Sequence, residues 1–285
     1  MTNHEQDAIR DVSDTAIWVA TYRARETERA DALFRDPFAR RLAGERGERI
    51  SATMPMVDKD TWSFASRTYL FDRFIEEQIR QGIQMVINLA AGLDARPYRM
   101  NLPASLQWVE LDLAQIVAYK SAILATENPV CALERIAVDL SDARARRAIF
   151  ARLRQEGRKT LIVTEGLLIY LAPDEVASLA EDLARQDSFE RWVLDMQSPG
   201  LLRMVERNLG KQLGQGGAAL KFGPREGPAF FAPHGWTPID VRSMLKTAAR
   251  LKRLSLGMRL MALVPESNGV QGSRPWSAVC LMASK

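Results

Sequence analysis

A doubly wound α/β fold, its sheet mostly parallel with an antiparallel last strand, is predicted by three observations. From Met85 onward, short apolar runs alternate with helical stretches. Continuous apolar runs of that length belong to strands covered by helices on both faces. Everything before about Gly82 reads as helix alone. The last two apolar runs are joined by about a dozen residues with no convincing helix, which predicts a hairpin and an antiparallel final strand.

The elements follow in order within one domain spanning 1–285. Residues 1–82 form a helical cap: "TAIWVATYRARETERADALF" behind a capping Asp14, a loop around Met54 to Lys59, then "DTWSFASRTYLFDRFIEEQIRQG" between a cap at Asp60 and a stop at Gly82. The core, 83–198 and 237–285, carries "MVINLAAG", "LQWVELDL", "ERIAVDL", "TLIVTEGLLIYL" and "RWVLDMQS", then "GMRLMALV" and "SAVCLMA". Between them, 199–236 breaks the rhythm. Seven of the 17 glycines fall from Gly210 to Gly235, together with Phe222, Phe230 and Phe231. A loop that long inside a compact core predicts a mobile lid or substrate insertion, because those aromatics would be a liability if permanently exposed.

Composition narrows the classes. With 47% apolar and 26% charged residues, the 285-residue chain is globular rather than disordered. Its 39 basic and 35 acidic residues are intermixed, with no basic stripe interleaved with aromatics, so no nucleic-acid partner is expected. Cys131 and Cys280 form no CxxC pair and no metal-ligand spacing is visible, so no metal is expected. The polar start "MTNHEQDAIRDVSD" does not read as a signal peptide and no run is long enough to span a bilayer. A cytoplasmic protein without membrane association is the expectation.

In a doubly wound sheet the ligand sits at the carboxyl ends of the strands. Those ends carry Gly92, Asp112, Asp139 and Glu165, spaced at roughly one βα repeat. Asp112 lies where dinucleotide folds bind a ribose diol, and Glu110, on the same face but deeper, ranks second. "AAGLDAR" offers one close-approach glycine, followed by Asp94 near a helix start, where its charge would repel phosphate. A phosphate-free, cationic nucleoside fits better, and S-adenosylmethionine is such a ligand. Its tail carboxylate needs a cation. Arg67 falls between Phe71 and Phe74 on the apolar face of its helix, so it either supplies that cation or forms a structural ion pair. Arg96, on the same turn as Gly92, has the same two readings, its local partner being Asp94.

Together, "TAIWVATYRARETERADALFRDPFA", "SRTYLFDRFI", "NLAAGLDARPYRM", "VELDLAQIVAYKSAIL", "AVDLSD", "TEGLLIYLAPDEV" and "HGW" give the sequence a family likeness. It resembles the leucine carboxyl methyltransferase-like family of S-adenosylmethionine-dependent O-methyltransferases, in particular the bacterial branch associated with polyketide and other small-molecule methylation. The resemblance implies a Rossmann-like methyltransferase sheet. It also implies that Arg67 holds the cofactor carboxylate, Gly92 lines its methionine part and Asp112 binds the ribose. Asp139 and the backbone of Leu140 would bracket the adenine, and Glu165 would sit at the amino-acid end. Ala90 departs from the family, many members having a further glycine there. The 199–236 region matches poorly, so substrate identity does not carry over.

Two residues are candidates for chemistry on the acceptor: Tyr170, which could orient a substrate, and His234 in "APHGWTP", a possible base. The only other histidine, His4, lies near the start of the chain. So few bases favour methylation of a carboxylate, already ionised at neutral pH, over a phenol or alcohol. Lys221 and Arg225 could pair with such an acid. A nicotinamide-dependent oxidoreductase shares the fold but lacks its phosphate-binding glycines here, and a non-catalytic binder of the nucleoside is the remaining alternative.

Overall fold

The computed structural model describes residues 12–53, 61–215, 219–266 and 272–285. The expected loop around Met54 to Lys59, the cap at Asp60, and His4 fall outside them. Three cap helices come first among the described residues: α1 (Val12–Thr27), α2 (Ala39–Thr53), kinked at Gly44, and α3 (Thr61–Arg80). Asp14 does not cap α1 but lies in its first turn, where its carboxylate accepts from Arg46 Nε at 2.7 Å.

The sheet is then built from β1 (Met85–Leu89), β2 (Gln107–Asp112), β3 (Ala132–Ala137), β4 (Thr160–Thr164) and β5 (Phe189–Gln197). Short α4 (Arg96–Arg99), α5 (Ala114–Ile123), α6 (Ala143–Arg154) and α7 (Pro173–Ala184) connect them. These five strands pair in parallel, and their order, β3-β2-β1-β4-β5, reverses direction at β1. Clefts form where a sheet reverses in this way, because the connections leave to opposite faces.

The alternation of side chains explains the layers. Ile87, Val109 and Ile162 point into one core with Phe150 and Trp192, while Val86, Trp108 and Leu161 point into the other with Leu70, Phe71 and Phe74 of α3. Burying Phe71 and Phe74 completely fixes how α3 lies on the sheet, and hence where Arg67 emerges.

After β5 the structure departs from the expected elements in three places. Helix α8 (Pro199–Gln215) opens the 199–236 insertion and runs into the loop expected from Gly210 onward. Phe222 and Phe231 are buried in the main core, Phe231 edge-on to Trp192 at 5.0 Å, so the aromatics expected on a mobile lid are fixed by packing. A 3₁₀ segment, Gly227–His234, leads into β6 (Trp236–Ser243). β6 was not anticipated: Pro238 interrupts its alternation and goes with a bulge between Pro238 and Asp240, which an edge strand tolerates. After α9 (Met244–Arg250), "GMRLMALV" forms helix α10 (Leu256–Ala262), not a strand. Its Leu256, Leu260 and Leu263 recur at helical spacing and stand exposed. The final β7 (Ser277–Ser284) is antiparallel as expected, but lies between β5 and β6. Cys131 and Cys280 are free and buried, and no described helix is long and apolar enough to cross a membrane.

Candidate functional site

A cavity of about 350 Å³ opens at the carboxyl edge of β1, β2, β4 and β5, between cap helices α1 and α3 and helix α8. The β1 turn makes its floor. Ala90 and Gly92 both take left-handed backbone angles, φ 51° and 52°. At Gly92 a side chain would be strained by that angle and would also press on Ala16 of α1, whose Cβ lies 3.2 Å from where another would be built. Glycine therefore lets the cap close over the turn. Ala90 bears the same backbone strain without that freedom, at about 1–2 kcal/mol. Ala90→Gly should accordingly raise stability by roughly 0.5–1 kcal/mol in urea unfolding, the relief being partly offset by the greater entropy of unfolded glycine.

Three carboxylates of the floor come from successive positions around the reversal point. Asp112 accepts from the Gly92 N–H at 2.6 Å and the Leu113 N–H at 2.7 Å. Burial pushes its pKa above the usual carboxylate range against the effect of those two bonds. Glu165 follows β4 and faces two arginines, Arg67 Nε at 3.2 Å and Arg96 Nη2 at 2.8 Å. Asp195 on β5 accepts from the Gly166 N–H at 2.7 Å and from Gln197 Nε2 at 2.9 Å, and lies 3.6 Å from Arg67 Nη1.

Sequence reasoning did not single out Asp195. It sits inside the run "RWVLDMQS", three residues before its end, so it does not read as a strand-end acid. The signal available was one more acid a βα repeat beyond Glu165.

Arg67 satisfies both of its readings in part. Burial acts to lower its pKa, but Asp195 and Glu165 outweigh it and keep the guanidinium charged. It is ion-paired and it lines the cavity, with N–H donors to spare.

Arg96 does not line the cavity. Its guanidinium is 2% exposed and braces Asp72 and Asp94 at 2.7 Å each, besides Glu165. Asp72 in turn holds Arg99 at 2.8 Å, and Arg99 and Arg23 share Asp36. The structural reading is therefore the one that holds for Arg96, as an anchor of Glu165. Asp94 also accepts from Asn88 Nδ2 at 2.9 Å; burial opposes its ionisation, but Arg96 and Lys120 hold its pKa well below the usual range. A fixed negative charge thus underlies the turn.

Tyr170 ends the 3₁₀ turn Leu168–Tyr170 and lines the cavity, packed against Trp18 and Tyr22. Burial pushes its hydroxyl above the ordinary phenol range, against a hydrogen bond with Thr15 and the charge of Arg67. It is a donor at neutral pH, not a base.

Other candidates lie elsewhere. His234 sits beside the start of β6, at the opposite edge of the sheet from the cavity, with Nδ1 3.1 Å from Glu181 near the end of α7. The antiparallel course of β7 puts the start of β6 there, so His234 cannot serve as a base in this cavity. Lys221 and Arg225 are exposed and do not line it. Glu110 is buried between Lys120 and Arg135, a structural group rather than a second ribose ligand. Asp139 and Leu140 follow β3 beside Asp112, whose carbonyl accepts from Val138 N–H at 2.8 Å, yet neither lines the cavity. The exposed Asp139 carboxylate has its pKa lowered by hydrogen bonds from Ser141, first from its hydroxyl and then from its N–H at 2.9 Å.

The wall of the cavity is acidic. Asp94, Asp112, Glu165 and Asp195 line it against Arg23 and Arg67, and Arg23 is spent on Asp36 and the Leu93 carbonyl. Residues 16–184, which hold the cap, the β1 turn and every strand end named above except Asp195, match the family described as leucine carboxyl methyltransferase. The chain belongs to that family. A Streptomyces avermitilis member, provisionally described as an S-adenosyl-L-methionine-dependent methyltransferase, is 33% identical over 254 residues, 84% of this chain and 87% of its own. A Mycobacteroides abscessus member with the same description is 35% identical over 194 residues, 62% of this chain. The chain spans 62% of that relative's length, just under two thirds. A solved Thermobifida fusca structure, provisionally described as a methyltransferase, superposes with a TM-score of 0.55 at 15% identity, covering 97% of this chain and 95% of its own. That likeness is one of fold.

The acid-rich wall of this leucine carboxyl methyltransferase family member suits S-adenosylmethionine, whose sulfonium and ammonium are cationic. The Gly92 turn, with no Cβ and its amide on Asp112, suits close approach of such a ligand.

Proposed function

We propose that the protein transfers the methyl group of S-adenosylmethionine to the carboxylate of a small molecule. The observation that carries this reading is the make-up of the cavity wall: carboxylates in excess to hold a cationic cofactor, and, among the described residues, no histidine, lysine or cysteine to act as a base. Bound there, the cofactor would supply the activated methyl. Asp112 would take the ribose hydroxyls, Glu165 and Asp195 the ammonium, and the free donors of Arg67 the tail carboxylate, while the adenine would reach past the cavity to Asp139 and Leu140, which follow the neighbouring β3. Tyr170, held protonated, would donate to the acceptor and fix one of its oxygens in line with the methyl. A carboxylate needs no proton removed, whereas a phenol or alcohol benefits from a base.

Two measurements test this. Calorimetry should register S-adenosylmethionine and its demethylated product, and no dinucleotide. The methylated product should release methanol in mild alkali, as an ester does. A product stable to alkali would reject the carboxylate assignment and favour an ether of a phenol or alcohol.

A further inference from the structure

The cavity has two ends of different chemistry. Its acids gather at the β1 turn and the ends of β4 and β5, as described. The other end lies between the cap and α8, where Trp18 and Tyr22 of α1, Phe64 of α3, Val205 of α8 and Leu220 form an apolar chamber. The aromatics there are locked on one another: Tyr22 and Phe64 stack at 4.3 Å with planes 7° apart, and Trp18 meets both edge-on at 5.5 and 5.4 Å. A wall held in this way is formed before any ligand arrives. Tyr170 belongs to both ends, packing on Trp18 and Tyr22 while feeling the charges of Arg67 and Asp195.

Charge restricts the acceptor as much as shape does. Both guanidiniums of the wall are already committed, Arg67 to Glu165, Asp195 and, with its remaining donors, the cofactor's carboxylate, and Arg23 to Asp36. No cation of the described wall is therefore left for a second anionic group, and carboxylates would face it. An additional charge buried among apolar side chains without a partner is strongly disfavoured.

We infer that the acceptor is a lipophilic monocarboxylic acid, its alkyl or aryl body in the Trp18–Tyr22–Phe64 chamber and its one carboxylate at Tyr170. This rests on the methyl-transfer reading and narrows it to a substrate class. Dicarboxylates and phosphorylated acids of the same length are excluded because their second anionic group would lie in the apolar chamber without a cation.

Octanoate and octanedioate, alike in length and different in charge, test the inference. With S-adenosylhomocysteine present, octanoate should bind at least roughly tenfold more tightly than octanedioate, measured by saturation-transfer NMR and calorimetry. Val205→Trp, which fills the chamber, should weaken octanoate by roughly tenfold or more and leave S-adenosylhomocysteine affinity within about twofold. Leu220→Ala, which enlarges it, should shift preference from octanoate toward decanoate, a gain that misfolding would not produce. The inference is overturned if octanedioate binds as tightly as octanoate, if octanoate does not bind, or if folded Val205→Trp binds it unchanged. Loss of the cofactor reading has a separate signature: no heat with S-adenosylhomocysteine in the unsubstituted protein. Octanoate binding to the protein alone still reports on the chamber.

Discussion

Replacing Arg96 with methionine is expected to lower the stability of the protein by roughly 3–5 kcal/mol, read as a drop in the urea midpoint. The guanidinium is 2% exposed and is the common partner of Asp72, Asp94 and Glu165. Methionine fills much of its volume but leaves three carboxylates short of a counter-charge, and breaking a buried pair from one side is far more costly than replacing both partners. The same residue governs the response to acid. Burial opposes the ionisation of Asp72 and Asp94, but the arginines outweigh it and hold both pKa values below the ordinary range. Such groups contribute stability that is fully present above the unfolded-state value, about 3.9, and lost as pH falls through the folded-state values. The unsubstituted protein should therefore lose stability below about pH 4, and Arg96→Met should show a shallower dependence there. An unchanged acid profile in a folded Arg96→Met protein would contradict this role.

Asp112→Asn should weaken S-adenosylhomocysteine binding roughly ten- to a hundredfold, which corresponds to the loss of about 1.5–3 kcal/mol from charge-assisted hydrogen bonds. The fold should bear the change. Burial raises the pKa of Asp112, so its ionisation costs stability as pH rises from the unfolded-state value through the folded one, and a neutral amide removes that cost. The amide oxygen can still accept one of the two backbone N–H groups now bound by the carboxylate. Calorimetry alongside thermal melting separates the two effects. A variant with unchanged affinity would remove Asp112 from the ribose site, and one with a large fall in melting temperature would mark the carboxylate as structural instead.

The strands and the acidic edge could be read in the sequence because they are local. Each of β1, β2 and β4 is a short, largely apolar run, and Gly92, Asp112 and Glu165 each stand where such a run meets its turn. The structure brings these three together with Arg67 around one cavity. Asp139, equally well placed in sequence, turns its carboxylate to solvent, because the β3 it follows is the sheet edge. Which strands are neighbours cannot be told from spacing.

The last third of the chain was less legible for related reasons. "GMRLMALV" is short and apolar enough to pass for a strand, although its leucines recur at helical spacing, and their exposure sets it on the surface. "WTPIDVRS" hides a strand behind a proline that is tolerable only at an edge with a bulge. Phe222 and Phe231 read as aromatics of a mobile insertion until their burial against Trp192 and its neighbours is seen.

By itself the sequence determined the alternation of strand and helix and the acids that such a sheet presents at its carboxyl edge, both consequences of patterning within a few dozen residues; the last strand is antiparallel as expected, but it pairs with β5 and β6 and not with a hairpin partner from "GMRLMALV". Only the tertiary structure decided that Arg96 braces Glu165 from behind, that Asp195 joins the cavity and that His234 does not. Those outcomes depend on which distant side chains share a low-dielectric space, where a charge is tolerated only beside its partner.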